Sequence, residues 1–330
     1  MRRVYPLNRP IVLTSWASVT GPKEHNGPLG DLFDLYFDDD ALGEKTWEKG
    51  EVGMYEAAVR MAIDKIGLSG DDINFMSGGD LLNQIISSNY SARALGIPFL
   101  GLYGACSTFA ESLMINSMLL SGGYGERAVS VTSSHFSTAE RQYRFPLEYG
   151  NQRPETSQWT VTGAGAVVLA TEGEGPKITM VTPGKVVDYG IVDAANMGAA
   201  MAPAAAETIL AHFKESGFTP EDYDLIITGD LGVLGSQLLV ELLEKNGLDA
   251  AGKIHTDCGC EIFAGDKHVN CGGSGCGCSA VVMTAKYLRA LKEGSMRRIL
   301  HAATGALLSP TSTLQGESIP GIAHAVTLEA

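Results

Sequence analysis

The chain has 330 residues, of which 45% are hydrophobic, so it is long enough for a large core and for two or three domain-sized units. The 38 acidic residues outnumber the 24 basic ones and give a formal net charge of −14, which disfavours nucleic acid and anionic lipid as partners. We expect no secretion signal at residues 1–6 and no membrane-spanning helix, and the six cysteines are therefore expected to be reduced thiols.

Short apolar runs of strand length alternate along the chain with longer runs that have helical character. Strands are predicted at 73–77, 128–131, 166–170, 225–227, 298–300 and 325–328. Helices are predicted at 54–66, 107–120, 204–215 and 279–292. Such alternation is typical of βαβ units, in which parallel or mixed sheets are covered by helices. We therefore predict an α/β fold.

The two halves of the chain repeat one series of motifs. Residues 71–81 align with 221–231, because each segment has an acidic turn, a buried strand and then Gly-Asp-Leu. Further along, a Cys-Ser pair opens a helix in each half, and that helix leads to the next strand. We predict a duplicated fold with halves at 1–171 and 172–330.

The repeated motifs place polar residues where strands end or helices begin. Asp80 and Cys106 occupy such positions in the first half, and Asp230 and Cys278 occupy them in the second. Ligands of doubly wound sheets bind beyond the carboxyl ends of the strands. The four side chains are therefore expected to converge on one cleft.

Cys106 is the strongest candidate for a site residue. It lies in a Gly-Ala-Cys-Ser-Thr turn at 104–108, between an apolar run and a helix. A thiol at a helix N-terminus is expected to have a lowered pKa, because the helix dipole favours the thiolate. The alternative is a small buried cysteine with a packing role.

The turn at 104–108 resembles the active-site turn of the thiolase and ketoacyl synthase superfamily. Longer strings resemble one branch of it, the stage V sporulation protein AD family, and the likeness runs from about residue 19 to the C-terminus. These strings are Gly79-Asp80-Leu81-Leu82-Asn83-Gln84, and those at 132–135, 138–142, 201–206 and 303–310. The resemblance implies a thiolase-like fold in which two duplicated halves form an αβαβα layered arrangement.

Condensing enzymes of this superfamily pair the cysteine with two histidines, or with a histidine and an asparagine, that stabilise the reacting carbonyl. At the first of these positions the chain has Asp230, which offers no hydrogen-bond donor when ionised. The second position falls in the glycine-rich turn 272–278, which contains no histidine. The resemblance therefore implies a vestigial nucleophile at Cys106 and no catalytic residues.

The resemblance implies binding of dipicolinic acid, or of its calcium chelate, for uptake into the developing spore. Helix N-termini at Cys106 and at the turn containing Gly273 and Ser274 could direct backbone N–H groups to this dianion. Asp80 and Asp230 would suit calcium carried with the ligand, because calcium takes carboxylate oxygens. The alternative is that each aspartate caps the helix after its own strand.

Three further side chains are candidates for contact with the ligand. Asn83 and Gln84 follow Asp80 and could donate to a carboxylate, although they could equally satisfy the backbone. His135 follows a predicted strand and could contact ligand or a second subunit, or be a hydrogen-bonded structural residue. No metal site of the protein itself is predicted.

The resemblance also implies partners and a location. Superfamily members are usually dimers through the first half, so a homodimer is expected. The chain would lie on the cytoplasmic face of the spore inner membrane, held peripherally by the other proteins of the dipicolinate uptake complex. Nucleic acid is not an expected partner.

Two other functions remain open. The first is an acyltransferase or ketosynthase-like enzyme that uses Cys106 as an acyl carrier. The second is a zinc or iron–sulfur protein, although the spacing of the late cysteines is not that of paired C-x₂-C knuckles. These are Cys258, Cys260, Cys271, Cys276 and Cys278. Tight packing of small residues is the alternative explanation of this cluster.

Overall fold

The computed structural model describes residues 2–143 and 153–330. The first half contains, in chain order, β1 (Tyr5–Thr20), α1 (Pro22–His25), β2 (Leu35–Tyr36), α2 (Trp47–Asp64), β3 (Phe75–Gly79), α3 (Ile86–Leu95), β4 (Phe99–Gly101), α4 (Thr108–Ser121), β5 (Arg127–Ser134), α5 (Phe136–Tyr143), β6 (Trp159–Thr160) and β7 (Gly163–Ala170).

The second half contains β8 (Lys177–Thr182), α6 (Met197–Ser216), β9 (Leu225–Thr228), α7 (Gly232–Lys245), α8 (Asp249–Lys253), β10 (His255–Asp257), α9 (Cys258–Ile262), β11 (Gly273–Ser274), α10 (Cys276–Val282), α11 (Leu288–Lys292), β12 (Arg298–Ala306), α12 (Pro310–Leu314) and β13 (Gly321–Glu329). A π-helical segment, Met283–Tyr287, joins α10 to α11.

The described strands form one 11-stranded sheet and a separate two-stranded pair, β6 with β11. The order in the large sheet is β10-β9-β12-β13-β8-β1-β7-β5-β3-β4, with β2 beside β1. In each half the outer strands are parallel, and an antiparallel strand follows, β7 beside β5 and β13 beside β12. The sheets of the two halves are joined in one hydrogen-bonded sheet because β1 pairs with β8.

Helices cover the sheet on its outer faces and also lie between the two halves. On the outside, α2 contacts β1, β5 and β7, while α6 contacts β12 and β13. Helix α4 is central, because it contacts β3 and β5 of one half and β12 and β13 of the other. Phe109 and Leu113 of α4 are buried in the central core, as a helix enclosed on all sides requires. The αβαβα order confirms the predicted α/β, thiolase-like architecture.

The duplication extends to individual hydrogen bonds. Before β3, the hydroxyl of Ser69 and the carboxylate of Asp72 form a capping box, and Thr219 and Asp222 form its counterpart before β9. The next polar side chain in each half also has the same role. Asn74 accepts the backbone N–H groups of residues 126 and 127, and Asp224 accepts those of 297 and 298.

Several features of the fold differ from the sequence prediction, including helix α7 and strand β8, which were not predicted. The 16-residue strand β1 was not predicted, because polar residues interrupt its hydrophobic pattern. The strand nevertheless pairs on both sides, with β7 and β8. Helix α6 begins at Met197, before the predicted start at residue 204, and contains Pro203. Buried packing of α6 against β13 and α7 offsets the hydrogen bond that proline cannot make. The proposed boundary near residue 171 falls between β7 and β8 and stays a prediction.

Among the described residues, no helix has the length and apolar character to cross a membrane.

Candidate functional site

Cys106 lies in a tight turn between β4 and α4. Ala105 has a positive φ of 50°, a conformation that is costly for a residue other than glycine and is common at functional sites. The hydroxyl of Ser107 donates to the carbonyl of Gly104 at 2.6 Å, and the hydroxyl of Thr108 donates to that of Ala105 at 2.7 Å. These bonds hold the turn, so that the Cys106 side chain is presented at a defined place.

The Cys106 thiol is linked to the second half of the chain through a hydrogen-bond network. Its Sγ lies 3.8 Å from the Oγ of Ser274, whose hydroxyl donates to the Oδ2 of Asp230 at 2.9 Å. The same Oδ2 accepts the N–H of Gly275 at 3.2 Å, and Oδ1 accepts the hydroxyl of Thr304 at 2.8 Å. The structure therefore brings together Cys106, Ser274 and Asp230, whereas Cys278, which was expected to converge with them, is buried in the central core.

A cavity of about 60 Å³ opens beside Cys106. One water needs roughly 10–15 Å³ of such space, so the cavity has room for several waters or a small planar group. Aromatic, aliphatic and hydroxyl side chains surround it. They are Leu81, Tyr103, Ala105, Cys106, Ala139, Tyr143, Thr160, Ala194, Met197, Ser274, Ala306 and Leu308.

The expectation of a lowered Cys106 pKa is wrong. Burial raises the pKa of this thiol well above its ordinary value, and the nearby Asp230 carboxylate raises it further. Both effects disfavour the thiolate more than the dipole of α4 favours it. Cys106 is therefore a neutral thiol at physiological pH, whose nucleophilicity is low.

The two Gly-Asp-Leu aspartates have different roles. Asp80 accepts the N–H groups of Leu82 and Ser88 at 2.8 Å each, together with the Ser88 hydroxyl, so it stabilises the loop and helix after its own strand. For Asp230 the capping interpretation is wrong. Asp257 accepts the N–H groups that precede and begin α7, and this leaves the Asp230 carboxylate facing Ser274.

Asp80 is fully buried, and it is not among the described residues that line the Cys106 cavity. Both of its oxygens accept hydrogen bonds from the protein, and so do both oxygens of Asp230. Neither carboxylate therefore presents an unused oxygen to the cavity. A contact between these aspartates and calcium gains no support from this geometry.

Asn83 and Gln84 lie in a neighbouring cavity of about 480 Å³, which shares Tyr103 and Leu308 with the Cys106 cavity. They are exposed, and the backbone of Gln84 has a positive φ of 58°. Asn83 and Gln84 therefore lie next to the Cys106 cavity and do not line it.

His135 is buried and has both ring nitrogens in use. Ser137 donates its N–H to Nδ1 at 3.1 Å, so Nε2 carries the proton and donates to the Asp40 carbonyl at 2.8 Å. Burial lowers the pKa of His135, which keeps the ring neutral. This geometry matches a structural histidine, and His135 is not among the described residues that line the cavity.

The glycine-rich turn supplies the Ser274 side chain to the cavity, and two of its N–H groups donate within the protein. Gly275 donates to Asp230, and Gly277 donates to the Ser134 hydroxyl. These two N–H groups are therefore not available to an anion, and binding of an anion at this helix N-terminus stays a prediction. Gly273 pairs with Trp159 and positions Ser274, which pairs with Thr160.

The late cysteines lie in separate environments. The thiol of Cys276 donates to the Ala105 carbonyl, Cys271 accepts the N–H of Leu234, and Cys258 and Cys278 are buried in the central core. Within residues 2–143 and 153–330, no three His, Cys, Asp or Glu side chains form a group that could hold a metal ion.

A buried carboxyl group, Glu51, lies close to Asp80 and accepts hydrogen bonds from Ser133 and Thr138. Burial, and then the charge of Asp80, raise the pKa of Glu51 from 4.5 to about 8. The folded protein thus binds a proton more tightly than the unfolded chain does, so Glu51 makes stability fall as pH rises from about 4.5 to about 8.

We expect Glu51→Gln to weaken this pH dependence, because glutamine stays neutral. Urea unfolding at pH 5 and pH 9 measures the effect, with the exposed Glu44→Gln as control. An unchanged difference between the two pH values in Glu51→Gln would contradict the prediction.

Several cavity residues were missed in the sequence. Thr160 and Tyr143 belong to segments without a recognisable motif, and only the pairing of β6 with β11 brings Thr160 to Ser274. Ala306 and Leu308 lie inside the family-like string at 303–310, so their position could have been noticed. The remaining ones are Tyr103, Met197, Ala194 and Ala139.

Comparison with solved structures supports the fold. A variant of OleA from Xanthomonas campestris matches 99% of this chain and 100% of its own, with a TM-score of 0.62 and 14% identity. A cerulenin-bound OleA structure from the same organism matches 98% of this chain and 100% of its own, with a TM-score of 0.62 and 15% identity. At this identity the likeness concerns the thiolase-like fold alone.

Sequence relatives define the family. The family model for stage V sporulation protein AD matches residues 2–329. Stage V sporulation protein AD of Bacillus subtilis (strain 168) is 48% identical over 328 residues, which cover 99% of this chain and 97% of that protein. A match of this extent, on a thiolase-like fold, shows that the chain belongs to the stage V sporulation protein AD family.

Proposed function

We propose that the chain binds dipicolinic acid in the Cys106 cavity, without converting it, for uptake into the developing spore. One observation carries the binding role: the Cys106 thiol lies beside Ser274, whose hydroxyl donates to Asp230, where a condensing enzyme needs electrophilic groups. Among the described residues that line the cavity there is no histidine, lysine or arginine. A neutral thiol in this setting suits binding better than acyl transfer.

The cavity suits a small planar ligand with polar edges. The rings of Tyr103 and Tyr143 and the side chain of Leu308 offer apolar surface. The hydroxyls of Thr160 and Ser274 stand among them, and that of Thr160 can donate to a carboxylate. Apolar walls with a few convergent polar groups are the usual composition of a small-molecule site.

Calcium, in this proposal, arrives as part of the ligand. Dipicolinate has its own carboxylate oxygens for the ion, which calcium prefers. The oxygens of Asp80 and Asp230 remain in their hydrogen bonds with the protein.

The proposal includes a homodimer and membrane partners. Strand β4 is the last strand at one end of the large sheet, and its Leu100 is 42% exposed, so a second copy could pair there. The other proteins of the uptake complex would hold the chain on the cytoplasmic face of the spore inner membrane. Nucleic acid is not proposed as a partner, given the net charge of −14.

Calorimetric titration with dipicolinic acid, with and without calcium, tests the site. We expect Ala306→Met to weaken binding by about tenfold or more, because the longer side chain fills the cavity and a tenfold change needs only about 1.4 kcal/mol. Leu314→Met is the control, since Leu314 is 89% exposed and outside the cavity. Cys106→Ala, which removes the thiol, is titrated beside it.

Saturable binding that Ala306→Met weakens and Leu314→Met retains would support the proposal, provided that thermal unfolding shows both variants folded. If the wild type bound dipicolinic acid neither with calcium nor without it, the proposal would be overturned.

An acyltransferase or ketosynthase-like activity is the second candidate, favoured by the cysteine at a strained turn beside a cavity. Incubation with acyl-CoA and intact-mass measurement tests it, with Cys106→Ser as control. A mass increase of one acyl group in the wild type alone would support this candidate.

A further inference from the structure

Ser274 has a single hydroxyl proton, and the charge of Asp230 decides where it points. An ionised carboxylate only accepts hydrogen bonds, so the Ser274 hydroxyl must donate to Oδ2 of Asp230 at 2.9 Å. Ser274 can then offer only a lone pair to Cys106, whose Sγ is 3.8 Å away, or to the cavity.

In this ionised state the floor of the cavity is unsuited to a carboxylate. The Gly275 N–H and the Thr304 hydroxyl also donate to Asp230, so these donors are unavailable to a ligand. The negative charge itself lies one serine behind the cavity wall and is fully buried, so water screens it little.

We propose that protonation of Asp230 reverses its hydrogen bond with Ser274 and thereby allows the Cys106 cavity to accept a carboxylate ligand. This inference rests on the proposed function. The protonated Asp230 donates from Oδ2 to the Ser274 oxygen, and the Ser274 hydroxyl proton turns towards the cavity. One proton enters from solvent, no covalent bond to carbon changes, and the buried charge is removed as the anionic ligand arrives.

The titratable groups around Asp230 do not change charge with it, so Asp230 is the group whose protonation controls the cavity. Asp257 faces it from the end of β10, but its carboxylate is held by the N–H groups of Leu231, Gly232 and Cys260 and by the Thr228 hydroxyl. The thiols that act on it are buried, and burial raises the pKa of each well above its ordinary value, so they stay neutral. These are Cys106, Cys258, Cys276 and Cys278.

Asp230 can change protonation near neutral pH. Burial, opposed by its hydrogen bonds and aided by Asp257, raises the pKa of Asp230 from 3.8 to about 6. Ligand carboxylates with ordinary pKa values are ionised throughout this range. Above the pKa of Asp230, each pH unit lowers its protonated fraction about tenfold and should weaken carboxylate binding by the same factor.

Calorimetry with dipicolinic acid at pH 6, 7 and 8 tests the inference on wild type, Asp230→Asn and Ser274→Ala. For the wild type we expect Kd to rise by about tenfold from pH 7 to pH 8. Titrations at pH 7.5 in phosphate and in Tris should show uptake of about one proton per ligand, since Asp230 is then mostly ionised before binding.

Asp230→Asn is neutral at every pH, and its amide can donate to Ser274. We expect its Kd to vary little between pH 6 and 8 and to be lower than that of the wild type by about tenfold at pH 7 and about a hundredfold at pH 8. Ser274→Ala should not bind more tightly at pH 6 than at pH 8, because it lacks the hydroxyl that donates to the ligand when Asp230 is protonated. Asp31→Asn, an exposed substitution with the same change of charge, is the control and should behave as the wild type does.

Each contrary result has a distinct meaning. Binding that is equal at all pH values, with no gain in Asp230→Asn, would overturn this inference and leave the proposed function standing. Weaker binding by Asp230→Asn would also overturn it and would favour direct contact between Asp230 and a calcium chelate. No binding by any variant at any pH would overturn the proposed function, and this inference with it.

Discussion

Gly305→Ala is expected to lower the free energy of unfolding by about 3 kcal/mol and to abolish ligand binding at the Cys106 cavity. A Cβ at position 305 would lie 2.2 Å from the carbonyl oxygen of Gly104, which is backbone and cannot turn aside. The same Cβ would lie 3.1 Å from the N–H nitrogen of Ser107. The turn that presents Cys106 would therefore have to move away from β12.

Urea unfolding measures this effect, and Gly53→Ala in α2 is the matched control. A Cβ at Gly53 meets only the end of the flexible Leu42 side chain, at 3.3 Å, so alanine should be neutral or stabilising by up to about 1 kcal/mol. If Gly305→Ala unfolded at the same urea concentration as the wild type, the close contact between β12 and the Cys106 turn would be wrong.

Asp230→Asn is expected to accelerate alkylation of Cys106 by about tenfold or more at pH 8. Burial is the main cause of the raised Cys106 pKa, and the Asp230 charge adds to it. Removing that charge should lower the thiol pKa, and each unit of decrease multiplies the reactive thiolate fraction about tenfold.

Iodoacetamide labelling followed by peptide mass analysis gives the rate at Cys106 separately from the other cysteines. Cys106→Ser identifies the labelled peptide, and Asp31→Asn controls for net charge. Equal rates in the wild type and Asp230→Asn would show that Asp230 does not act on the thiol. Faster labelling of Cys278 as well would indicate opening of the core.

These experiments address one structural question, which is what the cysteine turn and the cavity beside it do in this chain. The chain retains the cysteine turn and a cavity beside it, but the partner of the thiol is a serine held by a buried aspartate. Such a pair can orient a proton, whereas it offers no fixed positive group to a developing oxyanion. This arrangement supports the proposed binding role over acyl transfer.

Much of the fold was predictable because the sequence signals for its strands and helices are local and occur in both halves. Hydrophobic periodicity located β3, β5, β7, β9, β12 and β13 and the helices α2, α4, α6 and α10, and the repeat of Gly-Asp-Leu revealed the duplication. Those signals survive because each half must bury the same faces against the same neighbours. Strand β1 was not found, since its pairing with both β7 and β8 depends on distant segments.

The sequence by itself determined the position of Cys106, the absence of histidine from the turn 272–278 and the aspartate at position 230. Only the tertiary structure decided what these residues do. Identical Gly-Asp-Leu motifs carry Asp80 as a local cap and Asp230 as the partner of Ser274, because Asp257 arrives from β10 to cap α7. Likewise the thiol pKa follows from burial and a neighbouring charge, which depend on contacts between segments far apart in the chain.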